Sequence, residues 1–589
     1  MEGQVEKMRH SLSHVLAAAV KELYPTTTFG VGPAIENGFY YDMDFQGEKI
    51  SDADLKKIEK KMRGIIARGC KMLQREASRE EALAWARENG QKYKVELIEE
   101  LPEGETITFY DLVDPKGEVL FADLCKGPHV ENLKEIGAWQ LDKIAGAYWR
   151  GDEKREMLTR VYGLAFATDE ELKEYLARQE EAKRRDHRKL GKELDLFCFS
   201  DLVGAGLPLF TPRGTVLREE LSELSLGLRG KAGFKKVWTP HITKVDLYKA
   251  SGHYAKFGDE LFMVHSQVNG EEFALKPMNC PHHAQIFASK PRTYKEMPVR
   301  YMEATTDYRD EKTGELGGLS RVRSLTQDDS HVFCRKDQIK QEIQTLVGIV
   351  RKLYSTVGME KLRARLSYRD GSDKYLGDPE LWKMAQEQIK EAAVENGLDY
   401  FEQEGEAAFY GPKIDFMAED AIGREHQVAT VQLDFVQPER FELEFVNAQG
   451  EKERPVMIHH ATLGSIERFL SVFIEHTGGW FPLWCAPEQA RILTVSADAE
   501  EYARKVEETL AGLELNEPVK HNELRYSLDL SDDSLGKKIK RATELKIPVV
   551  IIVGARDASA ETVSLRLRDG EETVKLADLA GFLQGMAEK

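Results

Sequence analysis

PVRYMEATTDYRDEKTGELGGLSRVRSLTQDDSHVFCR, residues 298–335, sets the architecture of this chain. The segment predicts two β-strands joined by a charged, glycine-rich loop. Alternate side chains of an extended strand share one face, so the second half of the segment brings seven side chains together. They are Arg321, Arg323, Leu325, Gln327, Asp329, His331 and Phe333. That face is too polar to belong to a hydrophobic core.

This polar face has two possible interpretations. A solvated edge strand would be equally polar, but the first strand ends in Tyr308-Arg309-Asp310-Glu311 beside the same surface. Arginine binds polyphosphates through paired N–H donors, whereas glutamine, aspartate and histidine suit a small polar ligand or a metal ion. The pattern alone therefore predicts either a binding site or an exposed edge.

The bulk properties limit the class of protein. The chain of 589 residues is long enough for three or four domains, each with its own core. Six scattered cysteines form no disulfide framework, so a reducing, cytoplasmic location is expected. The start has no apolar signal core, and no apolar run approaches the roughly 20 residues of a membrane span. The net charge of −18 argues against non-specific coating of nucleic acid but allows a local basic surface for a folded RNA.

The first part of the chain holds a candidate cluster of histidine and cysteine. Residues 6–24 have the apolar spacing of an amphipathic helix. His10 and His14 share a face away from the apolar stripe, so they are either exposed or one wall of a cleft. Cys125 and His129 lie on a turn after a short strand. These four side chains could bind zinc or line a hydrolytic cleft without metal, and the ligand types leave both interpretations open.

The middle of the chain predicts one large unit of mixed character. A charged helix over 168–192 is expected to act as a linker. From Leu194 to Pro487, strands separated by helices favour an antiparallel sheet flanked by helices. His459 is expected to end a strand there, and Gly464 to open an amphipathic helix. Because neither a GxxxxGK(S/T) phosphate loop nor a strand-GxGxxG-helix is present, a nucleotide site must use side chains.

From Gln489 onward, alternating strands and helices predict an α/β unit of about 100 residues with a partly parallel sheet. Helices in this unit are expected over 498–511, 533–545 and 576–587. Elsewhere in the chain they are expected over 52–69, 78–89, 212–230, 338–357 and 379–396.

Several motifs together resemble those of the bacterial threonyl-tRNA synthetases, a family of class II aminoacyl-tRNA synthetases. The hairpin is similar to class II motif 2, with Arg309 and Glu311 in its arginine-x-glutamate signature. GSIERF is similar to motif 3, with Arg468 as its arginine. The family's zinc ligands are matched by Cys280 in LKPMNCP, His331 in TQDDSH and His459 in MIHHA, and its editing pocket by His10, His14, Cys125 and His129. The zinc ligands lie 51 and 128 residues apart, a spacing that predicts no metal site by itself.

The resemblance implies an α+β multidomain protein. The implied domains are an α+β editing domain at 1–168, a linker helix at 169–192, an antiparallel-sheet class II catalytic domain at 193–487 and an α/β anticodon-binding domain at 488–589. A homodimer without a membrane segment is also implied. The small N-terminal ubiquitin-like domain of many bacterial members is expected to be missing.

The implied reaction joins L-threonine to tRNA(Thr) through threonyl-adenylate, with ATP, Mg²⁺ and one Zn²⁺ in each catalytic domain. Valine lacks the hydroxyl group of threonine and can be rejected by about 10⁴ or more, whereas serine lacks only a methyl group, worth about 10- to 200-fold. The family therefore hydrolyses seryl-tRNA in the editing domain. Asp123 is expected beside the four editing residues, which the resemblance implies act without metal.

The resemblance also implies individual roles. Arg309 would hold the α-phosphate of ATP, and Glu311 would accept a hydrogen bond from the adenine amino group. Arg321 and Arg468 would hold the γ-phosphate, and Asp329 would orient the threonine hydroxyl. Further substrate-binding residues would be Gln327, Tyr410, Lys413, Gln427, Gln432 and Ser465.

Some positions depart from the family or carry a weaker match. Leu325 stands where a phenylalanine more often stacks on adenine, and His426 where a tryptophan is usual. His253 in SGHY resembles a histidine proposed to aid transfer to the ribose, with a surface-loop histidine as the alternative. The segment LDLSDDSLGKK is less basic than in the family, which leaves the anticodon contacts open. The rivals are an inactive paralogue that binds tRNA or an mRNA operator, and a prolyl synthetase. The motif arginines and the complete zinc set favour the threonyl enzyme.

Overall fold

The computed structural model describes residues 2–515, 518–519 and 522–587. The chain forms two compact units, Met1–Glu180 and Glu181–Lys589. Among the described residues, no helix is both long enough and apolar enough to cross a membrane.

The first unit combines helices with two antiparallel sheets. Its helices are Glu2–Leu23 (α1), Asp52–Ala67 (α2), Arg79–Glu88 (α3), Lys92–Glu100 (α4) and Asp169–Arg185 (α5), the last of which ends in the second unit. Its strands are Thr28–Phe29 (β1), Ala34–Ile35 (β2), Gly38–Asp44 (β3), Lys71–Ala77 (β4), Ile107–Val113 (β5), Val119–Leu124 (β6), Ala138–Tyr148 (β7) and Met157–Phe166 (β8). One sheet has the order β1-β3-β8-β7 with β2 on β3, and the other β4-β5-β6.

The core of the first unit forms where α1 packs on β3 and α2. Leu12, Val15 and Leu16 are fully buried there with Phe39 and Tyr41 of β3. Burial of this apolar stripe confirms the amphipathic helix predicted from the sequence. The helices predicted over 52–69 and 78–89 are also confirmed, whereas α4 was not predicted.

The single helix predicted over 168–192 is wrong, because the structure has two helices there. α5 ends at Arg185, and the next helix, α6, begins at His187. Between them Asp186 leaves the helical conformation, and its carboxylate accepts a hydrogen bond from the Arg188 N–H. Such an N-cap starts a new helix and interrupts the old one.

The second unit contains the remaining elements. Its helices are His187–Glu193 (α6), Pro212–Lys231 (α7), Val245–Ser251 (α8), His253–Phe257 (α9), Cys280–Ala288 (α10), Ile339–Thr356 (α11), Pro379–Glu395 (α12), Val436–Arg440 (α13), Ile466–Thr477 (α14), Glu500–Leu510 (α15), Leu535–Glu544 (α16), Ala555–Ala560 (α17) and Leu579–Ala587 (α18). Its strands up to the hairpin are Phe197–Cys198 (β9), Leu209–Phe210 (β10), Lys235–Lys236 (β11), Ile242–Lys244 (β12), Met263–His265 (β13), Glu272–Leu275 (β14), Val299–Tyr308 (β15) and Ser324–Cys334 (β16). The later strands are Leu362–Tyr368 (β17), Tyr400–Glu404 (β18), Lys413–Glu419 (β19), Glu425–Asp434 (β20), Phe445–Val446 (β21), Lys452–Glu453 (β22), Val456–Ser465 (β23), Ala490–Thr494 (β24), Glu514–Leu515 (β25), Asn522–Glu523 (β26), Tyr526–Asp529 (β27), Val549–Val553 (β28), Thr562–Leu567 (β29) and Gly570–Lys575 (β30).

A large sheet of order β11-β15-β16-β23-β20-β19-β17-β18 forms the centre of the second unit. Its inner pairs are antiparallel, and the pairs β11–β15 and β17–β18 are parallel. Helices α7, α11, α12 and α14 contribute to the apolar core that it shares with them. The predicted antiparallel sheet flanked by helices is confirmed.

The predicted hairpin of residues 298–335 is confirmed as β15 and β16, but its loop is longer than expected. Arg321 and Arg323 belong to this loop, because β16 begins only at Ser324. The Arg323 N–H donates to Gly206 O at 2.8 Å, and the Gly317 N–H donates to Arg321 O at 3.2 Å. The Arg323 carbonyl still accepts from the Arg309 N–H at 2.9 Å, so the cross-strand hydrogen bonds end there and Arg321 lies in the loop.

The expectation that His459 ends a strand is wrong, because β23 continues through it to Ser465. Gly464 belongs to this strand with a φ of +70°, a conformation that glycine adopts without strain. The helix predicted to open at Gly464 instead begins at Ile466 and is capped by Ser465, whose side chain accepts from the Arg468 N–H.

The last part of the chain is the predicted α/β unit. Strands β27, β24 and β28 are parallel, and β29 and β30 continue the sheet in antiparallel fashion. The helices expected over 498–511, 533–545 and 576–587 correspond to α15, α16 and α18. The strand β30 and the short helix α17 were not predicted.

Candidate active site

Two neighbouring cavities open on the polar face of the hairpin. The first has a volume of about 430 Å³, and its lining includes Arg309, Glu311, Arg321, Leu325, Gln327, Gln427, Ser465 and Arg468. The second has a volume of about 320 Å³, and its lining includes Cys280, Arg309, Gln327, Asp329, His331, Tyr410, Lys413, Gln432 and His459. All the residues that the sequence predicted for ATP, threonine and zinc therefore line one cavity or both, except His253.

The register of three strands explains this convergence. In the pairing of β16 with β23, Gln327 lies opposite Ser465 and His331 lies opposite His459. In the pairing of β20 with β23, Gln432 lies opposite His459. Directly paired residues of antiparallel strands project to the same face, so side chains far apart in sequence become neighbours.

The two cavities meet at a β-bulge, where residues 462–464 of β23 lie opposite a single residue of β16. The pairing of β16 with β23 shifts register between Gln327 and Asp329. The intervening Asp328 points to the opposite face, where its carboxylate accepts from the Leu463 N–H at 3.0 Å and pairs with the fully buried Arg229 of α7. Arg229 also donates to Asp329 O at 2.9 Å. The buried pair therefore holds the backbone from which Asp329 enters the second cavity.

The first cavity is rich in arginine. Within the described part of the chain, no side chain hydrogen-bonds to the Arg309 guanidinium, which borders both cavities. Arg321 donates to Glu311 at 2.8 Å and to Glu315 at 2.9 Å. Arg468 enters from the first turn of α14. A guanidinium without a protein partner at the junction of two cavities suits a bound anion.

Three side chains of the second cavity form a candidate metal site. The ligand atoms of Cys280, His331 and His459 all lie within 4.8 Å of one another, and the three residues are buried. His331 Nε2 and His459 Nδ1 are 3.1 Å apart. Two nitrogens bound to one tetrahedral zinc ion at about 2.0–2.1 Å would be separated by roughly 3.3 Å. The donor set and its spacing therefore fit zinc with a position left open.

The outer nitrogens of the two imidazoles have partners of their own. His459 Nε2 is 2.8 Å from Asp434 Oδ2, and His331 Nδ1 is 2.8 Å from His283 Nδ1. Hydrogen bonds of this kind fix the ring orientation and the tautomer of metal-binding histidines. Sequence reasoning missed Asp434 and His283, and no spacing in the sequence connects them to the site.

Burial dominates the electrostatics beneath the cavities. It raises the pKa of the Asp307 carboxyl to about 7, although Lys276 and Arg309 act in the opposite direction. Burial, followed by the charge of Asp307, raises the pKa of Asp329. Burial also raises the pKa of the Cys280 thiol, and the negative charge of Asp329 raises this pKa further.

His253 lies beneath the second cavity rather than in its lining. It is fully buried, with Nδ1 2.7 Å from Ser251 Oγ and Nε2 3.6 Å from Cys280 Sγ. Burial lowers the pKa of its imidazole to about 3. The alternative of a surface histidine is therefore wrong, while a role in transfer stays a prediction.

The first unit contains the predicted cluster of three histidines and a cysteine. The ligand atoms of His10, His14, Cys125 and His129 lie within 4.8 Å of one another. Cys125 Sγ is 3.3 Å from His10 Nε2 and 3.2 Å from His129 Nε2. The histidines on α1 therefore belong to a largely buried cluster, so the alternative of an exposed pair is wrong, and a cleft beside them stays a prediction.

Asp123 connects this cluster to two residues that sequence reasoning missed. Its carboxylate is 3.9 Å from His14 Nδ1 and 2.5 Å from the Lys94 ammonium, and it accepts a short hydrogen bond from Tyr41. A lysine that is only 2 % exposed is unusual, but Lys94 is one of several charged residues in α4 and no pattern in the sequence distinguishes it.

The cluster is neutral near pH 7. Burial lowers the pKa of His10, of His14 and, most clearly, of His129 below the ordinary value of 6.5. Burial also raises the pKa of the Cys125 thiol to about 11. The cluster therefore offers neutral imidazoles, which can accept a proton from water.

Comparison with protein families covers both units. Residues 262–477 match the tRNA synthetase class II core domain (G, H, P, S and T), and residues 489–586 match the anticodon binding domain. Residues 107–162 match the threonyl and alanyl tRNA synthetase second additional domain.

Full-length relatives carry one name. The chain is 47% identical to the threonine–tRNA ligase of Gloeobacter violaceus over 99% of its own length and 92% of the relative. It is also 47% identical to the threonine–tRNA ligase of Thermus thermophilus, over 98% of this chain and 87% of the relative.

Solved structures agree in fold. The RNA binding domain of threonyl-tRNA synthetase from Cryptosporidium parvum superposes with a TM-score of 0.63 at 36% identity, over 69% of this chain and 99% of that one. The prolyl-tRNA synthetase of Giardia lamblia, in complex with prolyl-adenylate, gives 0.54 at 17% identity, over 70% and 82%, a likeness of fold alone.

Proposed function

Because the chain belongs to the threonyl-tRNA synthetase family, we propose that the two cavities on its hairpin face bind ATP and threonine side by side. The protein charges tRNA with threonine at the expense of ATP and edits mischarged product. The observation that carries the assignment of sites is the position of Arg309, whose guanidinium borders both cavities and has no side-chain hydrogen bond among the described residues. The α-phosphate of ATP must meet the threonine carboxylate at such a junction.

The first cavity is our proposed ATP site, with ATP as its Mg²⁺ complex. Arg309 holds the α-phosphate, and Arg321 and Arg468 hold the γ-phosphate. Arg321 must then exchange Glu311 for phosphate, which frees the Glu311 carboxylate to accept from the adenine amino group. Leu325 offers adenine an apolar surface in place of a stacking ring. Gln427 and Ser465 complete the polar lining.

The second cavity is our proposed threonine site. Cys280, His331 and His459 would hold a zinc ion, and Asp434 and His283 would orient the two imidazoles from behind. When bound, zinc supplies a Lewis-acidic open position that can take the amino and hydroxyl groups of threonine. Asp329 orients the hydroxyl group. The neighbouring polar side chains that we assign to substrate binding are Gln327, Tyr410, Lys413 and Gln432.

Activation is an attack of the threonine carboxylate on the α-phosphorus, with pyrophosphate leaving toward Arg321 and Arg468. Negative charge grows on the α-phosphate oxygens as the bond forms, and the fixed Arg309 guanidinium stabilises it. The ribose hydroxyl of the tRNA then attacks the threonyl carbonyl carbon and displaces AMP. His253 is our candidate to assist this transfer, from beneath the second cavity rather than from its lining.

The cluster of the first unit is our proposed site of seryl-tRNA hydrolysis. A neutral imidazole of His10, His14 or His129 can take a proton from the attacking water. Lys94, beside Asp123, can stabilise the negative charge that develops on the carbonyl oxygen, and the protonated imidazole can return its proton to the ribose oxygen that leaves. The four-ligand set also allows a metal by residue type. We propose the metal-free reaction, in which the Lys94 ammonium, held by Asp123, supplies the positive charge that a metal ion would otherwise supply.

We further propose the domain limits 1–168 for editing, 169–192 for the linker, 193–487 for catalysis and 488–589 for anticodon binding. We also propose a homodimer, as the resemblance implies, with the exposed Leu202 and Trp238 of the second unit as candidates for its interface. Light scattering at micromolar concentration measures the molar mass in solution and so tests the homodimer. A cytoplasmic location follows from the reaction, since tRNA charging serves translation.

An exchange assay tests the function. The purified protein is expected to catalyse exchange of pyrophosphate into ATP with threonine, weakly with serine and not with proline. Loss of exchange on Arg309→Ala would tie that activity to the junction of the cavities. Absence of threonine-dependent exchange in the wild type would favour an inactive tRNA-binding paralogue instead.

A further inference from the structure

His187 makes a contact that the proposed reaction does not use. The residue is buried at 6 % exposure where α6 begins. Its Nε2 accepts a hydrogen bond from the Leu319 N–H at 3.1 Å, and its Nδ1 lies 2.7 Å from Glu475 Oε1. Because Nε2 accepts, the proton is on Nδ1 and is donated to the carboxylate. A single neutral imidazole thus connects the hairpin loop to α14.

The two ends of this connection carry the arginines that we assign to the γ-phosphate. Leu319 precedes Arg321 by two residues in the loop, and its own side chain is fully buried in the core. Glu475 lies two helical turns after Arg468 on α14. The contact through His187 therefore connects the two segments on which Arg321 and Arg468 lie.

The loop backbone approaches the ring as closely as a residue without a side chain allows. Gly318 has a φ of +57°, and a Cβ atom there would lie 2.3 Å from His187 Nε2. Only glycine fits this position without displacing the imidazole. The imidazole ring of His187 therefore packs directly against the backbone of Gly318.

Asp186, His187 and Glu475 also have the residue types of a metal site, but their atoms are already engaged. Asp186 pairs with Arg188 at 2.5 Å, and Glu475 pairs with Arg424 at 2.6 Å. Both ring nitrogens of His187 have partners as well. Each of these groups is already paired without a cation, and Arg424 also pairs with Asp420, so the cluster is structural.

We propose that His187 is a positioning residue that holds Leu319, and with it Arg321, in place against Arg468 for binding of the triphosphate. The inference rests on the proposed ATP site in the first cavity. It assigns no contact between His187 and substrate. Its effect is confined to the ATP side, because the residues of the second cavity are held by the sheet register.

Pyrophosphate exchange with the full-length protein tests the inference. His187→Ala is expected to raise the KM for ATP about fivefold or more, the factor that one net hydrogen bond is worth. The KM for threonine should stay within about twofold. His187→Gln, whose amide oxygen can accept from the Leu319 N–H, should recover most of the ATP effect. His476→Ala removes a neighbouring histidine of α14 that does not contact the loop and should change neither KM.

A double-mutant cycle supplies a second test. Gly318→Ala should raise the KM for ATP in the wild type and raise it less in His187→Ala, where the clash with the ring is gone and only the approach to Arg188 Cγ at 2.8 Å and the positive φ remain. If His187→Ala fails to fold, the cycle is measured with His187→Gln. The inference is overturned if a folded His187→Ala keeps the wild-type KM for ATP, if both KM values rise alike, or if the two changes are additive. A wild type without threonine-dependent exchange would instead contradict the proposed function.

Discussion

Asp307 is fully buried, and neither of its carboxyl oxygens has a hydrogen-bond partner among the described residues. Burial raises its pKa from 3.8 to about 7. The folded state therefore binds the proton more tightly than the unfolded state. The stability that this provides is complete below pH 3.8 and is lost as the pH rises through 7.

Replacement of this carboxyl should change the pH dependence of stability. Asp307→Asn cannot ionise, so it is expected to gain roughly 2 to 3 kcal/mol over the wild type between pH 5 and pH 8.5, at about 1.4 kcal/mol for each pKa unit. Thermal unfolding at both pH values measures the difference in Tm between variant and wild type. A difference that is the same at both would show that Asp307 does not titrate in this range.

Cys280 is the single thiol of the proposed zinc site. Cys280→Ser is expected to lose the metal and threonine-dependent exchange, because loss of a ligand costs more than the 10- to 100-fold in affinity that loss of an outer partner costs. Metal analysis and exchange assays measure both. Cys198→Ser, at an exposed cysteine outside the site, is the control. Retention of zinc and threonine activation by Cys280→Ser would refute the ligand assignment.

The hairpin shows how far sequence reasoning reaches. Alternation in β16 placed Gln327, Asp329 and His331 on one face, and the structure confirms it. Arg321 was assigned to the same strand, although its place in the first cavity depends on loop bonds to other segments. The alternation of side chains with a period of two does not show at which residue the pairing of β15 with β16 ends.

Partners contributed by distant elements could not be predicted. His331 meets His459 across 128 residues, and Asp123 meets Tyr41 across 82. Strand pairing and helix docking create these contacts, and neither leaves a local pattern in the sequence. The resemblance to known synthetases identified the zinc set for that reason, whereas Lys94, His283 and Arg229 had no motif to reveal them.

The irregular pairing of β16 with β23 yields a prediction about Asp328. Asp328→Ala leaves the buried charge of Arg229 without its carboxylate and the Leu463 N–H without its acceptor. We expect a loss of about 3–5 kcal/mol in stability. Ser225→Ala, which removes one hydrogen bond to Asp328, should cost only about 0.5–1.5 kcal/mol.

Unfolding in urea measures both variants. The KM for threonine of folded Asp328→Ala should rise as well, because the backbone of Asp329 loses its support. Equal stability of the two variants would mean that the ion pair adds nothing to the bulge.

The whole chain separates its two proposed chemistries between its two compact units. His10, His14, Cys125 and His129 belong to the first unit, and the lining of both cavities belongs to the second. Each site is built from residues of its own unit. A substitution that inactivates one site should therefore leave the activity of the other site unchanged.

His10→Ala is the direct test of this separation. The variant should accumulate seryl-tRNA, because one proton acceptor of the cluster is gone, a change worth about 10²- to 10⁴-fold in hydrolysis. Its threonine-dependent pyrophosphate exchange should match that of the wild type. Charging assays with serine and with threonine measure both. An equal loss of the two activities would mean that His10 supports folding instead.

Arg309 touches two cavities at once, and this makes their occupants thermodynamically linked. An anion that fixes the guanidinium from one side changes the free energy of binding on the other, and linkage requires the two changes to be equal. The factor by which a non-reactive ATP analogue changes the affinity for threonine must therefore equal the factor by which threonine changes the affinity for the analogue. A single side chain shared by two ligands is therefore enough to couple the binding of one to the binding of the other.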